Sequence, residues 1–203
     1  MDSAVSKPAL AALKAAMDRY YPLRGETWQV LESFCQCRTL ARGEALYPVG
    51  CQPTSFAFVV QGLFRNFITD EKGHEYNKIF FDEGTFPGVM VALLTETPSQ
   101  FTIEALEPSL VVEIAFKPFR RLLEERHDLA LFQLHYLERN WLLSKEPREV
   151  ALVQEEAGQR YDRFVAEYPG LHQRLPQYLV ASHLGITPTQ LSRIKKARQN
   201  QPM

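Results

Sequence analysis

The spacing of apolar residues divides the chain into three regions. Near the N-terminus, apolar residues recur at intervals of three and four, which predicts an amphipathic helix over residues 8–20. From Cys37 to Ile114 this spacing disappears, and short β-branched and aromatic runs are separated by glycines. Many short runs of this kind predict antiparallel strands that close into a sandwich or barrel. From about Phe119 onward, helical spacing returns.

One stretch of the C-terminal region has the spacing of a helix–helix seam. A helix is expected from Asp128 to Lys145, and apolar positions within it alternate between intervals of four and three residues, as in a two-stranded coiled coil. This stripe is compatible either with packing against the strands or with self-association. The repeating positions are Ala130, Leu134, Leu137, Trp141 and Ser144.

Prolines delimit the next helix. Pro147 lacks a backbone N–H and disfavours helical conformation at the residue before it, so a hinge is expected at residues 145–148. A helix is then expected over residues 148–168, and Pro169 with Gly170 ends it.

Residues 175–197 predict two short helices joined by a tight turn. The first is expected over residues 176–184, and Gly185 suits the left-handed conformation that often follows a helix. The second opens with Thr187 and Gln190, which form the Thr-x-x-Gln pattern of a capping box.

Polar and basic residues occupy the outer face of the second of these helices. Leu191 and Ile194 form its apolar ridge, so hydroxyl, amide and cationic groups are left for the solvent side. This pattern is typical of a recognition helix, in which such groups reach base edges and phosphates. The alternative is a helical hairpin with a solvated basic face. The outward residues are Thr189, Gln190, Ser192, Arg193, Lys195 and Lys196.

Charge is distributed unevenly along the chain. The whole chain has 23 basic and 24 acidic residues, a net charge of -1. Residues 168–203 contain five basic residues and no acidic one, which leaves 18 basic and 24 acidic residues in the rest. An acidic body with a basic end fits a protein that touches phosphate with one surface only.

Cysteine usage and hydropathy predict a cytoplasmic protein. Cys35, Cys37 and Cys51 match neither a zinc spacing nor a disulfide framework, so buried thiols are favoured over a redox or metal role. Three cysteines are also one short of the four that an iron–sulfur cluster needs. No signal peptide is recognisable and no apolar run approaches the roughly 20 residues that a bilayer requires, so no membrane association is expected. No metal or cofactor is expected either.

The C-terminal helix pair resembles a known DNA-binding unit. The segment YLVASHLGITPTQLSRIKK is similar to the helix-turn-helix of the CRP/FNR family of bacterial transcription regulators. Ser192 and Arg193 match the family's E-x-x-S-R pattern, whereas Thr189 stands where the family has its glutamate. Because this glutamate is missing, the family's usual operator sequence is not carried over to this chain, whereas DNA binding remains the expected function.

The strand-rich region resembles the sensor of the same family. The spacing of its glycines is similar to that of the cyclic-nucleotide-binding jelly roll, in the run FVVQGLFRNFITDEKGHEYNKIFFDEGTFPG. The resemblance implies an α+β protein with N-terminal helices and a jelly-roll sensor (residues 1–126), a long dimerisation helix (127–146) and a small all-α helix-turn-helix domain (147–203). Many relatives add a β-hairpin wing after the recognition helix. Because only residues 199–203 follow here, no wing is expected.

The resemblance also implies partners and residue roles. It implies a homodimer bound to double-stranded DNA, with RNA polymerase as a further partner and no enzyme activity. The apolar stripe would be the dimer interface, formed by Ala130, Leu134, Leu137 and Trp141. Base contacts would come from Thr189, Gln190, Ser192 and Arg193, and phosphate contacts from Thr187, Lys195, Lys196 and Arg198.

The nucleotide cassette of this family is degenerate here. Members that bind cyclic AMP hold the ribose with a glutamate after an F-x-G motif and the phosphate with an arginine after a proline. Aligning residues 86–88 and Pro98 with that cassette places Val89 at the glutamate position and Ser99 at the arginine position. No useful binding of cyclic AMP or cyclic GMP is therefore expected, and the effector is unassigned. The degenerate pocket comprises Gly88, Val89, Met90, Ser99, Gln100 and Thr102, with Val91, Leu93 and Leu94 as further apolar lining.

Three other interpretations fit parts of the sequence. The first is a cyclic-nucleotide-responsive regulator whose divergent cassette aligns differently. The second is a cupin-type metalloenzyme, because cupins share the jelly roll, but they need several histidines and only His74 lies in the strand-rich region. The third is a protein-interaction module whose terminal helices bind a partner protein.

Overall fold

The structure is a computed structural model that describes residues 3–143 and 155–199. The chain forms two compact units. The first comprises Met1–Phe67 and Phe80–Trp141, and the second comprises Ile68–Ile79 and Leu142–Met203. The domain boundaries expected after residues 126 and 146 stay predictions.

Two helices open the first unit. Helix α1 (Ser3–Asp18) begins five residues earlier than predicted, and α2 (Gly25–Glu32) follows it. Leu13 and Met17 are fully buried, as the helical spacing predicted, and they join the core formed by these helices and the strands.

Within the described residues, seven antiparallel strands form two sheets of a jelly roll. One sheet has the order β1-β7-β3, and the other has the order β2-β6-β4-β5. The strands are β1 (Cys35–Leu40), β2 (Ala45–Tyr47), β3 (Ser55–Gln61), β4 (Phe64–Thr69), β5 (Glu75–Phe81), β6 (Thr102–Ala105) and β7 (Ser109–Ala115).

The three-stranded sheet is buried on both of its faces. Successive side chains of a strand point to opposite faces, so Val111 contributes to the core that also contains Phe64 and Ile103. Val112 and Ile114 contribute to the core that contains the helices. Two-sided burial explains why β7 is almost continuously apolar.

Side-chain and backbone hydrogen bonds within a few residues hold the turn between β4 and β5. Asp70 accepts hydrogen bonds through Oδ1 from the backbone N–H groups of Lys72 (2.9 Å) and His74 (2.8 Å). Gly73 completes the turn with a φ of 83°, a conformation that glycine adopts without steric cost.

The helix expected over residues 128–145 is not uniform. Helices α3 (Met90–Thr95) and α4 (Phe116–Glu125) precede α5 (His127–Leu137), which continues as a π-helix over Glu138–Leu142. The side chain of Asn140 donates to the backbone oxygen of Tyr136 and to the hydroxyl of Tyr20, each at 3.0 Å. A side chain that bonds a helix carbonyl competes with the backbone ladder, which accounts for the wider turn.

The next predicted helix begins later than expected. Helix α6 (Ala157–Glu167) is preceded by a capping box in which Glu156 and Gln159 exchange hydrogen bonds, so residues 155 and 156 are not helical. The proposed hinge at Pro147 and the helix portion before residue 155 lie outside the described residues. A short helix that the sequence did not predict, α7 (Leu171–Arg174), then leads to α8 (Gln177–Leu184) and α9 (Pro188–Gln199).

Candidate nucleic-acid interface and sensor region

The turn between α8 and α9 has the predicted geometry. Gly185 has φ 67° and ψ 34°, the left-handed conformation. Its N–H donates to the backbone oxygen of Ser182 at 3.2 Å, and Ile186 N–H donates to that of Ala181 at 3.0 Å. These two bonds satisfy carbonyls that the end of α8 would otherwise leave open, so the chain can reverse within three residues.

Arg160 ties this turn to α6. Its Nε donates to the backbone oxygen of Leu184 at 3.2 Å, and its Nη1 donates to that of Glu155 at 2.8 Å. A cation at a helix C-terminus also interacts favourably with the helix dipole. Sequence reasoning did not identify Arg160, because its partner lies 24 residues away and no local pattern links them.

The capping box at the start of α9 is present. Thr187 N–H donates to Gln190 Oε1 at 2.9 Å, and Gln190 N–H donates to Thr187 Oγ1 at 3.2 Å. Thr187 Oγ1 in turn lies 3.2 Å from Gln190 Oε1, to which it donates. The first turn of α9 is therefore held by its own side chains.

Helix α9 is anchored by one side and exposed on the other. Leu191 is fully buried, and Ile194 is half-buried. Lys195 is half-buried as well. The exposed residues are Thr187, Thr189, Gln190, Ser192, Arg193, Lys196 and Arg198. Six of the eight residues expected to contact DNA lie on α9 with their side chains exposed.

Arg198 has an intramolecular partner. Its Nη2 and Nε donate to Asp162 Oδ2 and Oδ1 at 2.6 and 2.9 Å, a bidentate pair between α9 and α6. Hydrogen bonding to Asp162 and the charge of that carboxylate raise the pKa of Arg198 further. A phosphate contact by Arg198 would therefore compete with Asp162, which sequence reasoning did not foresee.

Ser182 and His183 of α8 contact the β4–β5 hairpin within the second unit. Ser182 Oγ donates to the backbone oxygen of Glu75 at 2.7 Å and accepts from Asn77 N–H at 3.2 Å. His183 Nδ1 lies 3.2 Å from the backbone oxygen of Asn77. The side-chain amide of Asn77 is buried without a hydrogen-bond partner among the described residues, which is costly.

In the jelly roll, the two residues aligned with the nucleotide cassette, Val89 and Ser99, are both buried. Val89 is buried in the core between the sheets. Ser99 is buried as well, and its hydroxyl donates to the backbone oxygen of Phe101 at 2.7 Å and accepts from Phe101 N–H at 3.1 Å. Neither side chain offers a charge, and the Ser99 hydroxyl is already used locally.

The remaining pocket residues have structural roles or face solvent. A Cβ on Gly88 would lie 2.9 Å from Phe56 Cβ, so the backbone approaches too closely for a larger residue. Met90 packs against the helix-side core, Gln100 is exposed, and Thr102 Oγ1 accepts from Val49 N–H at 3.0 Å.

The predicted apolar lining is wrong for two residues. Val91 and Leu94 are 73% and 61% exposed, because α3 turns only Ala92 and Leu93 into the protein.

In the interior, Asn66 Oδ1 is buried without a partner among the described residues. The neighbouring Arg65 points to the opposite sheet face, where it pairs with Glu104 at 3.1 Å.

The apolar stripe of α5 continues into the π-helix and is not covered by the described strands. Leu134, Leu137 and Trp141 are 49%, 42% and 51% exposed, whereas Ala130 is half-buried. Of the two possibilities that the sequence left open, packing against the strands does not account for these three residues.

The opposite side of α5 packs on an aromatic cluster. Phe132 and Tyr136 contact Tyr20, which follows α1, and Phe86 at the start of the cassette, with ring centroids 5.4 to 6.2 Å apart. Burial raises the pKa of Tyr136 to about 12. Helix α5 is thus held firmly by one face.

Residues 3–143 and 155–199 contain neither a cluster of metal-ligating side chains nor a helix that could span a membrane. In this part of the chain, no three His, Cys, Asp or Glu side chains converge where they could hold a metal ion. None of the described helices combines the length and apolar character needed to cross a bilayer.

Comparisons with known proteins agree with the jelly-roll fold. Residues 37–126 match the protein-family model described as "Cyclic nucleotide-binding domain". The match spans β1 to β7 and α4. No match was found among curated protein sequences.

Solved structures of similar fold extend over most of the chain. FixK2 from Bradyrhizobium japonicum has a TM-score of 0.67 at 17% identity, over 82% of this chain and 85% of that one. The c-di-GMP-responsive global regulator CLP of Xanthomonas campestris has a TM-score of 0.66 at 14% identity, over 87% and 92%. The catabolite activator protein of Thermus thermophilus has a TM-score of 0.55 at 21% identity, over 91% and 86%. At these identities, the similarity is one of fold.

Proposed function

We propose that the protein is a sequence-specific DNA-binding transcription regulator that acts as a homodimer. The observation that carries the proposal is the surface of α9. Its apolar side is buried through Leu191, its first turn is capped by Thr187 and Gln190, and its exposed side carries hydroxyl, amide and cationic groups without one carboxylate. A rigid helix of this chemistry suits the major groove.

The residues of α9 have two different roles in this proposal. Arg193 is the strongest candidate for a base contact, because a guanidinium can bond both acceptors of guanine. Thr189 and Ser192 flank it, and Lys195 and Lys196 would meet phosphates. Arg198 would do so only after leaving Asp162.

The dimer would form through the exposed stripe of α5. Leu134, Leu137 and Trp141 present large apolar side chains to solvent, which a second copy of the chain would cover. A symmetric dimer would place its two α9 helices in successive major grooves about 34 Å apart and would require a nearly palindromic operator.

The sensor of this regulator would not respond to cyclic AMP or cyclic GMP. Val89 and Ser99 are buried and provide neither the carboxylate nor the cation that a cyclic nucleotide needs. Saturation at one hundred times the dissociation constant would add about 2.7 kcal/mol of stability. A clear rise of the melting temperature in millimolar nucleotide would contradict this part of the proposal.

DNA binding is tested with sequences selected from random DNA. Arg193→Ala is expected to weaken the selected site by about 1 to 3 kcal/mol and to relax the preference at one base pair. Lys196→Ala is expected to weaken all sequences alike and to reduce the slope of log K against log salt by about 1. Lys117→Ala removes the same charge from α4 and serves as the control, with no expected effect. Equal losses on selected and random DNA for both α9 variants would refute the role assignment.

Dimerisation is tested by sedimentation. Leu137→Glu places a charge in the exposed stripe and is expected to yield monomers that bind the operator weakly. Arg121→Glu introduces the same charge at an exposed position of α4 and is expected to leave the dimer intact. A wild-type protein that is monomeric at micromolar concentration would refute this interface.

A further inference from the structure

The cap at the start of α9 limits what Gln190 can recognise. Gln190 Oε1 accepts two hydrogen bonds, from Thr187 N–H at 2.9 Å and from Thr187 Oγ1 at 3.2 Å. A backbone N–H can only donate, so the side-chain atom that meets it must be the amide oxygen. The orientation of the amide therefore follows from chemistry, and both lone pairs of its oxygen are used.

Only the amino group of Gln190 is then directed to solvent. Among the described residues, none accepts a hydrogen bond from Gln190 Nε2, and the side chain is exposed. In its usual contact with adenine, a glutamine accepts from N6–H through its oxygen and donates to N7 through its nitrogen. Here the first of these two bonds has no acceptor.

We infer that Gln190 acts as a donor only and selects guanine or thymine over adenine at the base pair that it faces. The inference rests on the proposed DNA-binding function. Guanine presents two acceptors in the major groove, N7 and O6, and thymine presents O4. Adenine places its N6 amino group there, which would oppose the Nε2 amino group of Gln190.

The rest of the exposed face has the same bias. The guanidinium of Arg193 has only donors, and residues 188–199 contain no aspartate or glutamate that could accept from the amino group of cytosine. The hydroxyl groups of Thr189 and Ser192 can donate as well as accept. A surface that consists mainly of donors requires an operator whose contacted edges are rich in acceptors.

Reading adenine would require the cap to open. The loss of a capping side chain typically shifts the stability equilibrium of a helix by roughly 2- to 30-fold. Adenine is therefore disfavoured in either case: by the missing bond while the cap stays closed, or by that factor when the cap opens.

The experiment compares the wild-type protein with Gln190→Glu in selection from random DNA. Glutamate is the usual partner in a capping box, so the helix start is retained while a second, uncommitted acceptor oxygen faces the groove. Wild-type half-sites are expected to carry guanine or thymine at one position. The variant is expected to change that position to cytosine or adenine, by about 5- to 150-fold, and to leave the others unchanged.

Two results would overturn the inference while leaving DNA binding intact. One is adenine or cytosine in the wild-type half-site at the position that the variant changes. The other is an identical selected sequence for both proteins, with unchanged melting temperatures. If the wild-type protein enriches no sequence at all, the DNA-binding proposal itself fails.

Discussion

Gly62 provides a direct test of how closely the strands of the jelly roll approach one another. It follows β3, has a φ of 113°, and its N–H donates to Glu83 Oε1 at 2.9 Å. A Cβ at this position would lie 2.1 Å from Ser109 Oγ, 2.6 Å from Ser109 Cβ and 2.9 Å from Ser109 Cα. Gly62→Ala must therefore move the start of β7.

Gly43 allows the two destabilising effects of an alanine, backbone strain at positive φ and steric overlap of the added Cβ, to be measured separately. It also has a positive φ, 83°, but a Cβ there would meet no atom within 4 Å. Gly43→Ala should thus cost only the strained backbone, about 1 to 3 kcal/mol. Gly62→Ala should cost that amount and a further 1 to 3 kcal/mol or so for overpacking, about 4 kcal/mol in total.

A double-mutant cycle identifies the clash as the cause. Ser109→Gly removes the two closest atoms and also the hydrogen bond from Ser109 Oγ to the backbone oxygen of Glu107, so it destabilises by itself. In the Ser109→Gly background, the decrease in the free energy of unfolding that Gly62→Ala causes should be smaller by about 1 to 3 kcal/mol.

Urea denaturation followed by circular dichroism, at one protein concentration, measures the free energies of unfolding of all five proteins: the wild type, the three single variants and the double variant. Equal losses for Gly62→Ala and Gly43→Ala, or a cycle without coupling between residues 62 and 109, would refute the steric argument.

Three further predictions concern other parts of the chain. Burial opposes ionisation of Asp128, but hydrogen bonds from the start of α2 and from its own helix outweigh it and lower its pKa, so its contribution is present above about pH 4 and is lost as the pH falls through the folded-state value. The stability profiles of the wild type and Asp128→Asn should therefore converge below pH 4 in urea denaturation, and a constant gap would contradict this. Leu191→Ala should lower the unfolding free energy by about 2 to 5 kcal/mol, whereas Ala197→Ser, on the exposed side of α9, should change it by less than about 0.5 kcal/mol. Burial, with the nearby charge of Glu32, raises the pKa of Cys35 to about 12, so iodoacetamide at pH 8 should label this thiol only after unfolding, as mass spectrometry would show.

The amino-acid sequence by itself determined the parts of the structure that depend on neighbouring residues. The left-handed Gly185, the Thr187–Gln190 capping box and the buried stripe of α1 all arise from groups within a few positions of one another. Such local preferences act before any tertiary contact forms, so they are readable from spacing and residue type.

Tertiary structure alone decided the features that join distant residues. The Asn140 side chain, which lies in the π-helix, also donates to the hydroxyl of Tyr20, 120 residues away. The pairing of Arg198 with Asp162 likewise spans 36 residues, and it changes the availability of a cation that the sequence assigned to phosphate.

Helix α9 combines features that the sequence determines with features that only the tertiary structure determines. The residue types on its exposed face and the Thr187–Gln190 cap were evident from the sequence, but only the structure shows that the Gln190 oxygen accepts from the Thr187 hydroxyl as well as from its N–H. Composition specifies which donors and acceptors a helix carries. Only the folded geometry specifies which of them are already satisfied, because a hydrogen-bonding group that has a partner within the protein is no longer available to DNA.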